Sequence, residues 1–271
     1  MDKRPIGVFD SGLGGLTVVK ELRKILPGED IIYFGDTGRV PYGTRSRETI
    51  RRYAAQDIHF LCSHDVKMVV AACGTVSSVL TDKDVQDIGV PYTGVVRPAA
   101  QEAASLSQNG KIGVIGTTAT VHSGAYGKAI RGIRPDAAVV GRDCPLFVPL
   151  VENGQVGRDN EITRLTAKMY LEPFFKENID TLILGCTHYP IIYDIIADVM
   201  QYAVVFVDPG QVTARYVSSY LMQNGLSSEK AQGGTCHYYV SDQLDTFADV
   251  AGIFLGENVD GKVEYVSVDT L

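Results

Sequence analysis

Two short stretches of this chain echo one another. Ala71-Ala72-Cys73-Gly74-Thr75 follows the apolar run Met68-Val69-Val70, and Leu184-Gly185-Cys186-Thr187-His188 closes the run Leu182-Ile183-Leu184. Each reads as a buried strand that ends at a cysteine and gives way to a helix. Backbone N–H groups converge at such a point and the helix dipole favours negative charge, so a thiol there is expected to ionise near neutral pH. A lone cysteine usually packs as a small hydrophobe, and Cys62, Cys144 and Cys236 are read that way. Two cysteines in matching contexts, one in each half, point instead to a symmetric site with a thiol on either side of a bound molecule.

The surrounding pattern repeats as well. Ile6-Gly7-Val8-Phe9 reads as a strand ending in Asp10-Ser11-Gly12-Leu13-Gly14-Gly15, with a helix over about 16–26. A strand at 31–34 leads into a turn-rich loop at 35–43, then a helix at 46–63 and strand 67–72. The pattern restarts near Arg97-Pro98. Lys111-Ile112-Gly113-Val114-Ile115 matches the first strand, with the turn Gly116-Thr117-Thr118-Ala119-Thr120 and a helix to about 131. A strand at 137–140, a compact apolar segment from Cys144 to Glu152, a long helix at about 157–177 and strand 181–184 follow. The cysteine comes 63 residues after Asp10 in one half and 69 after Thr117 in the other. Strand–turn–helix alternation predicts parallel sheets with ligands at the carboxyl ends of the strands. Strands at 204–207, 237–240 and 263–266, with helices to about 223 and near 242–250, form a tail that returns to the first unit. No flexible linker separates the halves, so they are expected to pack tightly.

Composition narrows the function. The 271 residues carry a net charge of −7, which argues against broad nucleic-acid binding. The basic group Arg45, Arg47, Arg51 and Arg52 reads as a solvated helix face. No stretch approaches a membrane span, and no secretory signal is apparent. Five cysteines without a CxxC pair form neither a disulfide framework nor a zinc pattern, so no metal is expected and a reducing cytoplasm is the simplest home.

Two opposed thiols suit inversion of a stereocentre. One takes a proton from carbon while the other delivers one to the opposite face. A nucleophile with a resolving cysteine is the redox alternative. Asp10 and Ser11 sit at the first strand end, where Asp10 doubles as a helix cap. His188 lies two residues beyond Cys186, and Glu152 closes the apolar segment; either could relay protons to a thiol. Thr75, Thr117, Thr118, Thr120 and Thr187 offer hydroxyls to a polar ligand. Gly12-Leu13-Gly14-Gly15-Leu16-Thr17 invites a dinucleotide reading, with Asp36 as the ribose-binding acid. Thr17 stands where the third glycine belongs, and a carboxylate at Asp10 would repel a pyrophosphate.

Together these motifs resemble the glutamate racemases, cofactor-independent members of the aspartate/glutamate racemase superfamily. The resemblance rests on Gly7-Val8-Phe9-Asp10-Ser11-Gly12-Leu13-Gly14-Gly15, on Tyr33-Phe34-Gly35-Asp36-Thr37 with Pro41-Tyr42-Gly43, and on Leu184-Gly185-Cys186-Thr187-His188-Tyr189-Pro190. It implies an α/β protein of two similar parallel-sheet domains related by pseudo-symmetry, 1–97 plus 207–271 and 98–206, with the active site between them. Cys73 and Cys186 would be the acid/base pair, with Asp10 and His188 assisting and Glu152 near the second thiol. Asp10, Ser11, Tyr42, Gly43, Gly74, Thr75, Thr187 and His188 would hold the amino acid. The resemblance also implies no cofactor, a homodimer, and D-glutamate for peptidoglycan, hence cell-wall biogenesis and cell shape, in a bacterial cytoplasm. One position departs from it. The family usually reads Cys-Asn-Thr at the first cysteine, and this chain has Cys73-Gly74-Thr75, so a side-chain amide is lost. Racemisation of another amino acid and a non-catalytic binding protein on the same scaffold are the alternatives this opens.

Overall fold

The structure, a computed structural model, describes residues 2–242, 244–256, 259 and 263–271. Met1, and residue 243 within the helix expected near 242–250, lie outside the described residues. The strands are β1 (Ile6–Asp10), β2 (Ile31–Gly35), β3 (Met68–Ala71), β4 (Tyr92–Gly94), β5 (Lys111–Gly116), β6 (Ala138–Asp143), β7 (Thr181–Leu184), β8 (Val205–Val207), β9 (Cys236–Val240) and β10 (Val263–Tyr265). They form two sheets, ordered β10-β9-β2-β1-β3-β4 and β6-β5-β7-β8. All the pairings within them are parallel.

Both sheets contain one motif. The first strand of each half is central, the second lies on one side, and the strand leading to the cysteine lies on the other, with the fourth beyond it. The echo read between the halves of the sequence is thus an identical strand order, β2-β1-β3-β4 against β6-β5-β7-β8. The tail does return to the first unit, because β9 pairs with β2 and β10 with β9. Strands β1, β2, β3 and β7 are buried at every residue. Their near-continuous apolar sequences fit a parallel sheet covered on both faces.

The helices explain how the halves stay together. Helix Pro209–Gln223 packs against both Leu16–Ile25 of the first half and Val96–Leu106 of the second. One continuous set of buried apolar residues, including Val8, Tyr33, Ile115 and Leu184, runs through both sheets. No described helix is long and apolar enough to cross a membrane.

Several boundaries differ from the sequence reading, each for a local reason. The long helix is Glu161–Glu177 and starts four residues later than expected, because the Asn160 side chain accepts the Thr163 N–H at 2.9 Å and caps it there. The helix expected to run to about 131 is two, Thr118–Ser123 and Ala125–Ile133, split at Gly124 with φ +66°. Strand β4 and helix Val96–Leu106 went unread, since a three-residue strand leaves no periodic signal. The second cysteine does not open an α-helix. A turn leads from Cys186 into a 3-10 helix at Tyr189–Ile192, with Pro190 near its start, before helix Tyr193–Val199.

Candidate active site

The carboxyl ends of the two sheets enclose a cavity of ≈ 390 Å³, and every site residue named from the sequence lines it. From the first half come Asp10 at the end of β1 with Ser11 beside it, the 3-10 turn Tyr42–Thr44, and Cys73, which caps the short helix Gly74–Val79. From the second half come Thr117, Thr118 and Thr120 after β5, Glu152 at the end of helix Phe147–Glu152, and the stretch Cys186 to His188 after β7. The sequence reading missed the apolar wall formed by Pro145, Val148 and Pro149. Its signal was present in the compact apolar segment ending at Glu152, which was read for its acid alone. The rim at Val40, Pro41 and Thr44 was missed as well.

The two thiols have different surroundings. Cys73 is 4% exposed, and its thiol donates to Ser11 Oγ at 3.4 Å. Burial, reinforced by the nearby Asp10 carboxylate, pushes this thiol up to about 12. This runs against the thiolate expected from the helix start: desolvation outweighs what six residues of helix supply. Asp10 is itself buried, and burial raises its carboxyl, against the lowering effect of His188 and the Gly12 N–H. Asp10 Oδ2 accepts that N–H at 2.9 Å, while Oδ1 has no hydrogen-bond partner among the described residues.

Cys186 faces a cationic relay instead. Its Sγ lies 3.8 Å from His188 Nδ1, and His188 Nε2 lies 2.9 Å from Glu152 Oε1. Burial opposes charge on His188, but the Cys186 sulfur and the Glu152 carboxylate outweigh it and raise the imidazole to about 10. Phe254, from the tail helix Leu244–Leu255, meets the His188 ring edge-on at 5.3 Å between centroids.

Contacts between the halves shape the cavity. Thr75 Oγ1 lies 3.0 Å from Thr117 Oγ1, which lies 3.0 Å from Thr120 Oγ1. Thr118 turns away and donates to Asp143 Oδ2 at 3.0 Å. Thr17, the residue that spoils the dinucleotide fingerprint, places its hydroxyl 3.0 Å from the Thr187 carbonyl. Two glycines let the halves meet closely, Gly14 against side chains and Gly74 against backbone. A Cβ on Gly14 would fall 2.1 Å from Thr187 Oγ1, and one on Gly74 would fall 2.5 Å from the Gly185 carbonyl oxygen. The departure at Gly74 thus has a steric correlate: the opposing backbone occupies the space its side chain would need.

Two outcomes follow from this geometry. Gly74→Ala is expected to destabilise the fold by about 1–3 kcal/mol through overpacking, measured by urea unfolding. The second concerns His188, whose folded value lies above its ordinary 6.5. The stability lent by its charged form is complete below about pH 6.5 and is lost as pH rises through about 10. Because Glu152 is partly exposed, Glu152→Gln should cost only about 1 kcal/mol near pH 6.5, and the gap from the parent should narrow above pH 10 in paired urea titrations.

Comparison with known proteins identifies the fold's relatives. The profile described as Asp/Glu/Hydantoin racemase matches residues 6–217. A glutamate racemase of Geobacter metallireducens is 46% identical over 269 residues, covering 99% of this chain and 98% of the relative. The crystal structure of glutamate racemase from Francisella tularensis in complex with D-glutamate superposes with a TM-score of 0.91 at 42% identity, covering 100% of both chains. The Bacillus anthracis isoform RacE1 gives a TM-score of 0.94 at 33% identity, with 99% of both chains covered. Matched over most of its length in sequence and in fold, the chain belongs to the Asp/Glu/hydantoin racemase family.

Proposed function

We propose that this chain is an isomerase that interconverts L- and D-glutamate by proton transfer at the α-carbon between two thiols, without a cofactor. The observation that carries the reading is one cavity with Cys73 and Cys186 entering it from equivalent positions in the two halves. Relatives named glutamate racemase, one of them holding D-glutamate, supply the substrate.

The chemistry balances within the site. One sulfur, as thiolate, takes the α-hydrogen as a proton, and the electron pair stays on the substrate, delocalised into its carboxylate. The opposite thiol then gives its proton to the other face. One C–H bond breaks and another forms, and the two sulfurs exchange protonation states. Asp10 assists Cys73, with the free Oδ1 as proton acceptor, and the substrate ammonium adds positive charge beside this buried pair. His188, oriented by Glu152, exchanges a proton with Cys186. The carboxylates of glutamate meet the hydroxyls of Ser11, Thr75, Thr117, Thr120 and Thr187 and the backbone N–H groups at 42–43 and 74–75. Thr118, expected to bind substrate as well, gives its hydroxyl to Asp143 instead.

The wider reading follows from this activity. The two units are 1–97 plus 207–271 and 98–206. The D-glutamate formed serves peptidoglycan synthesis in a bacterial cytoplasm. The chain acts as a homodimer, supported by an exposed apolar stripe on helix Glu161–Glu177 at Ile162, Leu165 and Met169 that a second copy would cover. Sedimentation equilibrium should return twice the chain mass, and a monomer mass removes this part.

The activity is tested by proton NMR with L-glutamate in D₂O and no added cofactor. The α-proton signal should fade as D-glutamate appears in a chiral assay. Cys73→Ala and Cys186→Ala should each cut turnover by about 100- to 10,000-fold. A folded protein that gives no exchange sinks the glutamate reading, and a panel of L-amino acids then reveals whether the enzyme takes another substrate.

A further inference from the structure

Beneath the turn Tyr42–Thr44 lies a buried polar cluster that the racemisation chemistry does not use. The side chains of Asp36 and Asp57 are both fully buried, and one guanidinium, Arg39, serves the two. Arg39 donates from Nε to Asp36 Oδ2 at 2.5 Å, from Nη2 to Asp57 Oδ1 at 2.9 Å and from Nη1 to Gln56 Oε1 at 2.6 Å. Its guanidinium carbon lies 4.2 Å from the centre of the Tyr53 ring. Two buried carboxylates against one cation leave a negative charge without a partner, a costly arrangement unless one acid keeps its proton.

Hydrogen-bond counting says which one. Asp36 accepts from Arg39, from Ser241 Oγ at 2.8 Å and, in a very short bond, from the Tyr42 hydroxyl. It meets donors on both oxygens. The Tyr42 oxygen also lies 3.1 Å from Asp57 Oδ2. A phenol has a single proton and cannot donate to both carboxylates, and its shorter contact is with Asp36. The contact with Asp57 is then two oxygens facing each other unless Asp57 supplies the hydrogen. Burial, followed by the charge on Asp36, drives the Asp57 carboxyl well above its ordinary value, against the lowering effects of Arg39 and of the Tyr42 contact; Asp10 adds a further negative charge.

We infer that Asp57 is a neutral carboxylic acid that donates to the Tyr42 oxygen and so positions the Tyr42–Thr44 turn as a wall of the cavity. The consequence for catalysis rests on the glutamate reading above. The turn reaches across to the second half, where the Cβ position of Gly43 lies 3.3 Å from Thr117 Cβ. A chain of Asp57 to Tyr42 to Asp36 fixes it from below. The proton on Asp57 also keeps a second negative charge from lying under a pocket that must take a substrate with two carboxylates.

The pattern of donors makes the inference testable. In Asp57→Asn the amide can accept from Arg39 and donate to Tyr42, as the neutral acid does. Its KM for glutamate should stay within about twofold of the parent, whereas Asp57→Ala, which leaves Tyr42 and Arg39 short of a partner, should raise KM about tenfold and shift kcat by less than about threefold. Asp36→Asn sets an N–H against donors and should lose more than about tenfold in kcat/KM. Independently of any substrate, carbon NMR of the protein labelled at aspartate carboxyls should show a neutral-acid resonance at neutral pH that disappears in Asp57→Asn. That resonance stands whichever amino acid the enzyme takes, so it separates this inference from the choice of substrate. Loss of activity in Asp57→Asn equal to that in Asp57→Ala, or a spectrum in which Asp57 is ionised, would overturn it.

Discussion

The structure depends on two parallel sheets meeting closely along the carboxyl ends of their strands. Gly14 and Gly74 permit that approach, since a Cβ at either would collide with the facing half. Thr17 and the threonines at 75, 117 and 120 then tie the edges together with hydroxyl contacts. The cavity is what remains where the two ends do not touch. Its volume of ≈ 390 Å³ lies near the lower end of small-molecule sites, which suits an amino acid.

Burial decides the electrostatics inside it. The same strand-end position gives the two cysteines different settings. Around Cys73 the groups are an acid and a hydroxyl, and desolvation pushes the thiol up. Around Cys186 a histidine, held charged by Glu152 and the sulfur itself, stands within reach. The fold is close to symmetric while the site is not. One face is supplied with a mobile proton, and the other is set by burial and a neighbouring acid. Beneath the first half, the cluster of Asp36, Arg39, Tyr42 and Asp57 applies the same rule: one cation is enough when one acid stays neutral.

Much of this was legible in the chain. The apolar runs before Cys73 and Cys186 located β3 and β7, and Asp10 and Thr117 marked the ends of the two central strands. Those residues lie together because ligands gather at the carboxyl ends of parallel strands. Other features were not legible. The helix dipole assigned to Cys186 assumed an α-helix where a 3-10 turn stands. The ionised Cys73 rested on the helix start alone, without the burial that raises the thiol. The sequence alone does not show that Val148 and its neighbouring prolines line the cavity, because an apolar side chain looks the same whether it faces a core or a ligand.

The sequence by itself determined the parallel α/β architecture, its internal repeat and the set of polar residues at the strand ends, because these follow from local periodicity and from where turn residues fall. Only the tertiary structure decided the distance between the halves, the steric reason for Gly74, the protonation of Cys73 and the coupling of Asp57 to Tyr42. Each of those depends on which groups exclude water from which others. That exclusion arises only when residues far apart in the chain are packed together.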